Sequence, residues 1–94
     1  MRFFRFYFHG EKAHLALDGM PQDYGFYTHR FVEAEDEATA EQVAFEIVRR
    51  QLADRGIERG YALEVEELAE LESFEGVSVP GEGFTFYPED RVKQ

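Results

Sequence analysis

The chain has 94 residues, with 10 Lys+Arg against 20 Asp+Glu for a formal charge of −10, and it contains no cysteine. That length accommodates one domain with a single core, and the missing cysteines exclude disulfides, thiolate catalysis, Cys-ligated zinc and iron–sulfur chemistry. No apolar run approaches the roughly 20 residues needed to cross a bilayer, and no secretory leader pattern opens the chain, so the expectation is a soluble, cytoplasmic protein with no membrane partner.

Ten Phe and five Tyr are unevenly placed, nine of the fifteen falling within the first 31 residues. Side chains of that size offset chain entropy by burial, which argues for a folded domain despite the charge. Residues 2–9, Arg-Phe-Phe-Arg-Phe-Tyr-Phe-His, end at Gly10 and have the composition of a strand. Period two places Phe4, Phe6 and Phe8 on one face and Phe3, Arg5, Tyr7 and His9 on the other. Residues 10–24, with Gly10, Gly19, Pro21 and Asp23, are expected to be a long irregular connection, with a short strand or helical turn over 13–18 as the alternative.

A second strand is expected over 26–34, where Phe26, Thr28, Arg30 and Val32 alternate with Tyr27, His29, Phe31 and Glu33. Acidic Glu33, Glu35, Asp36 and Glu37 then precede an amphipathic helix from about Glu37 to Arg55, where negative charge suits the positive end of the helix dipole. Asp36 is the expected N-cap, with Thr39 and Gln42 as a competing capping box, and Gly56 the expected C′ residue. Arg49, Arg50 and Arg55 are placed at the opposite, C-terminal end. The inward stripe is assigned to Ala40, Val43, Ala44, Ile47, Val48 and Gln51, with Phe45 and Leu52 on its flank.

Tyr61 to Glu72 alternates as a third strand until Leu68 and Leu71 shift phase, which predicts a bulge near Glu66-Glu67 or a short helical turn. Glu64, Glu66, Glu70 and Glu72 are assigned to a solvated strand face. Pro80, Gly81 and Gly83 form a loop, and Phe84-Thr85-Phe86-Tyr87 a short last strand stopped by Pro88. The fold class expected is α+β: a mostly antiparallel sheet of about four strands, β-β-α-β-β, with one helix packed on one face. One helix covers only one face, so the aromatic second face is expected to be covered by residues 10–24, by the C-terminal tail or by another copy of the chain.

The segments Gly25-Phe26-Tyr27-Thr28-His29-Arg30-Phe31-Val32-Glu33-Ala34 and Pro80-Gly81-Glu82-Gly83-Phe84-Thr85-Phe86-Tyr87-Pro88-Glu89 resemble those of a family of small uncharacterised bacterial proteins of about this length. The resemblance carries no activity and assigns no residue a role.

His9, His14 and His29 are the metal candidates, although their spacing lacks the His-x-x-x-His or fixed Glu offset of a metal motif, and ordinary surface histidines explain them as well. Ser73 and Ser78 lie in no nucleophile elbow, and Pro80-Gly81-Glu82-Gly83 lacks the lysine of a phosphate loop. Arg2 and Arg5 interleave with Phe3 and Tyr7 as in a base-stacking strand, but a charge of −10 repels phosphate, so no nucleic-acid partner is expected. The reading leans away from an enzyme. It favours a protein–protein interaction module, a homodimer or a partner of another protein, acting through Phe3, Arg5, Tyr7, Phe45 and Leu52, with no cofactor. Alternatives are a small-molecule or metal-binding protein using the His9, His29, Arg30 and Tyr27 neighbourhood, and an acidic inhibitor of a basic partner.

Overall fold

The computed structural model describes residues 1–17, 19 and 21–89. Strand β1 spans Arg2–Ala16, β2 Pro21–Ala34, helix α1 Glu37–Asp54, β3 Ala62–Leu71 and β4 Thr85–Pro88. The strands form one antiparallel sheet in the order β3-β1-β2-β4. The expected α+β class and element order are therefore observed.

The stretch 10–24 departs from expectation. Its residues 10–16 and 21–24 form the outer half of a long β1–β2 hairpin, with Ala13 paired to Tyr24 and Ala16 to Pro21. The break signalled by Gly10 is real but local: register shifts between Gly10 and Ala13, and Lys12 takes φ of 61°. A bulge of this kind absorbs the irregularity and lets pairing resume beyond it.

Alternation settles the two faces. Phe4, Phe6 and Phe8 pair with Val32, Arg30 and Thr28 across β2, and with Glu70, Leu68 and Val65 across β3. All three phenylalanines are fully buried beneath α1, together with Phe26. Phe3, Arg5, Tyr7 and His9 pair with Glu33, Phe31, His29 and Tyr27 on the opposite, open face.

The helix starts at Asp36, whose side chain accepts from the Thr39 amide at 2.7 Å, so the competing Thr39 box is not used. It ends in a Schellman arrangement, Ile57 N–H donating to Leu52 C=O and Gly56 N–H to Ala53 C=O. Its last turn holds no basic residue, Arg55 being the cap itself. The buried row is Ala40, Ala44, Val48 and Leu52, while Val43 is 36% exposed. The expected stripe is thus turned. The i, i+4 row lies on the sheet, which moves Leu52 from flank to core and Val43 out to water. Gln51 stays near the sheet in a polar role.

Leu52→Ala is expected to cost about 2–5 kcal/mol of unfolding free energy, against less than about 0.5 kcal/mol for Val43→Ala, in urea titrations. Equal effects would contradict the helix orientation described.

Candidate functional site

Alternation places a lane of stacked and tilted rings on the open face. Tyr7 and His29 are direct cross-strand partners, as are His9 and Tyr27. The Tyr7 and His29 centroids are 4.4 Å apart, Tyr7 and Tyr27 are 5.5 Å apart with planes 10° from parallel, and His9 and Tyr27 are 4.7 Å apart. Tyr87 from β4 closes the far end, 5.8 Å from Tyr27. It lies across Gly25, where a Cβ would sit 2.1 Å from the tyrosine ring.

The segment between β3 and β4 walls the other end. Phe74 packs edge-on against Phe3 at 4.9 Å and against Phe31 at 5.8 Å. It therefore covers part of the face that a helix could not reach, a role the sequence had assigned to residues 10–24, the tail or a second copy. Further along, Phe31 N–H donates to Pro80 C=O at 2.9 Å, and Thr28 Oγ1 donates to Gly83 C=O at 2.7 Å. Gly81 has φ of +97°, and a Cβ there would be 3.1 Å from the His29 carbonyl oxygen, so any other residue would be strained and would crowd β2.

Arg30 anchors the wall from beneath. It is fully buried, and no carboxylate pairs with it among the described residues. Its guanidinium donates instead to Gln51 Oε1 of α1, to Thr28 Oγ1 and His29 C=O of β2, and at 3.4 Å to Gly83 C=O. The Phe84 ring lies 5.0 Å from its carbon centre. Burial pushes its pKa down to about 10, opposed by the negative charge of Glu82, so it remains a cation at neutral pH.

Between the rings and the wall opens a cleft of about 710 Å³, lined chiefly by Tyr7, Tyr27, His29, Phe31, Glu82 and Phe84. That volume lies within the roughly 300–1,000 Å³ of small-ligand sites. Glu82 is the only carboxylate among the described lining residues.

At the β3 edge His9 is nearly enclosed, its side chain 11% exposed. Its Nε2 is 2.6 Å from the Tyr87 hydroxyl, and its Nδ1 lies 3.5 Å from Glu64 Oε1 and 3.6 Å from Glu66 Oε1. The Tyr87 hydroxyl keeps its proton: burial, then Tyr27, Glu89 and Glu11, push its pKa up. A bulge supplies the second carboxylate. Tyr7 pairs with Glu67 and Phe8 with Val65, leaving Glu66 as the extra residue on the strand. The acids of β3 therefore do not share one face, because Glu70 falls in register with Phe4 on the helix side while Glu64 lies beside His9.

The sequence-predicted residues separate in space. The three histidines do not converge: His14 pairs with Asp23 at 3.0 Å on the outer hairpin, and the two tyrosines of the lane lie between His9 and His29. Of the interaction candidates, Phe3 sits under Phe74, Arg5 donates to Glu67 at 2.6 Å, and Tyr7 lines the cleft. Phe45 packs edge-on against Phe8 on the helix side, and Leu52 is core. They form no single surface. Sequence reasoning assigns Glu64 and Glu66 to a solvated strand face and gives Glu82 and Tyr87 no site role, although the phase shift after Val65 marks the bulge. No family model, curated protein or solved structure matches the chain, and among the described residues no helix is long and apolar enough to cross a membrane.

The His29 imidazole is held below its ordinary 6.5, first by partial desolvation and then by the like charge of Arg5. As pH falls, the unfolded chain takes up this proton before the folded one. The stability owed to neutral His29 is therefore complete above the ordinary value and is lost as pH drops through the lower, folded pKa. Melting midpoints recorded from about pH 7.5 down to about 5 should fall more steeply for the wild type than for His29→Gln. Identical slopes would contradict this assignment.

Proposed function

We propose that the protein is a non-enzymatic binding module that takes a small organic cation with a planar or methylated face into the cleft between the ring lane and residues 77–83. The observation that carries this reading is the composition of the cleft: Tyr7, Tyr27, His29 and Phe31 line it, with Glu82 as the only carboxylate among the described lining residues. Aromatic faces attract cations through the ring quadrupole, by about 0.5–1 kcal/mol when exposed and about 2 kcal/mol when desolvated. A carboxylate at the rim adds charge complementarity, and a formal charge of −10 steers cations toward the molecule.

Two further features support the reading. His29 titrates low and so stays neutral at physiological pH, adding no repulsive charge within the cleft. The wall is tied to β2 and α1 through Gly81, Gly83 and Pro80, so the cleft is formed before a ligand arrives and the ordering cost falls.

The test is an NMR titration with benzyltrimethylammonium as probe and benzenesulfonate as its anionic counterpart. Saturable shifts at Tyr7, Tyr27, His29 and Glu82 are expected with the cation alone. Tyr27→Ala should weaken binding about tenfold or more, and Glu82→Gln several-fold. Equal binding of the sulfonate, no binding of the cation, or indifference to Tyr27→Ala would each overturn the proposal.

A further inference from the structure

We propose that His9, Glu64 and Glu66 form a binding site for a divalent first-row cation, zinc being the best fit, at the β3 edge of the open face. This stands independently of the cleft reading, because none of the three residues lines the cleft.

Donor type comes first. One imidazole nitrogen and two carboxylates form a mixed N,O,O set, with one ligand atom of each residue lying within 4.8 Å of the others. Imidazole suits zinc and its neighbours more than magnesium or calcium, which prefer oxygen throughout. Spacing comes second. Zinc takes nitrogen and oxygen at about 2.0–2.2 Å in a tetrahedron, which sets neighbouring ligand atoms about 3.4 Å apart. Nδ1 stands 3.5 Å and 3.6 Å from the two carboxylate oxygens, too far for strong hydrogen bonds and near the edge length of such a tetrahedron.

Orientation is the third element, and it comes from outside the set. A metal-bound histidine ordinarily gives its other N–H to a fixed acceptor, which sets the tautomer and turns the lone pair to the metal. Tyr87 is so placed, its hydroxyl oxygen 2.6 Å from Nε2 and able to accept that proton. Nδ1 then directs a lone pair at two anionic oxygens. A cation between them removes that repulsion. The bulge at Glu66 completes the arrangement, because regular pairing would put Glu66 opposite Tyr7, two residues along β1 from His9. Three protein ligands leave a fourth position open to water or to a ligand atom.

The exposed pair His14 and Asp23, 67% and 53% exposed, offers only two ligand atoms and serves as the internal control. Zinc alone is titrated into tag-free full-length protein by calorimetry, and the three imidazoles are followed by NMR. The expected result is 1:1 binding that perturbs the His9 ring and leaves those of His14 and His29 in place. Glu66→Gln, an exposed isosteric change, and His9→Gln should each weaken binding at least tenfold, Tyr87→Phe should weaken it less, and His14→Gln should leave it unchanged. Circular dichroism confirms that each variant is folded. Absence of binding, binding unaffected by both His9→Gln and Glu66→Gln in folded protein, or binding that follows His14 would overturn the proposal.

Discussion

Arg30 lies on β2, fully buried, and its donors reach acceptors on three parts of the chain: Gln51 on the helix, Thr28 and the His29 carbonyl on its own strand, and the Gly83 carbonyl in the segment before β4. A cation taken out of water needs its hydrogen bonds satisfied, and among the described residues no carboxylate supplies them. The neutral acceptors must therefore stay in place together. Holding Gly83 there positions Phe84 over the guanidinium and carries the 77–83 segment over the open face, where Gln51 Nε2 also donates to Gly81 C=O at 3.3 Å. The constraint that fixes the helix on one side of the sheet thus also forms the cleft on the other.

The two faces divide the work of the sheet. One buries Phe4, Phe6, Phe8 and Phe26 under α1 and supplies the hydrophobic stability of the domain. The other keeps its aromatics partly exposed, with Phe74 shielding Phe3 and Phe31 while Tyr27 remains 36% exposed. Acidic charge gathers beside these rings rather than being spread evenly. Glu64, Glu66 and Glu67 lie around the β3 bulge and Glu82 in the loop, the placement on which both proposed cation sites rest.

Much of this arrangement is legible in the sequence, because a period of two leaves no freedom once a strand is recognised. It assigned Phe4, Phe6 and Phe8 to one face and Tyr7 and His9 to the other, and it put Arg30 on the same face as Phe26 and Val32. The helix cap at Asp36, the stop at Gly56 and the phase shift near Glu66 are also local signals. What was not legible depends on distant partners. The acceptors of Arg30 outside its own strand lie 21 and 53 residues away, and the Tyr87 contact of His9 spans 78. Helix rotation was misjudged for a related reason: the choice between the row through Leu52 and one through Val43 is made by the sheet it crosses. Residues 10–24 looked irregular because Gly10, Gly19 and Pro21 are turn formers, yet continued pairing to β2 outweighs their local preference.

The dependence of the cleft wall on the buried guanidinium is tested most directly by amide hydrogen exchange at Phe31, whose N–H donates to Pro80 C=O. In Gln51→Leu, Arg30 loses its acceptor on the helix and the wall should loosen. Exchange at Phe31 is then predicted to accelerate at least tenfold while the Phe6 amide, in the central strand β1, remains protected. Unchanged exchange at Phe31, or acceleration shared equally by Phe6, would contradict the account.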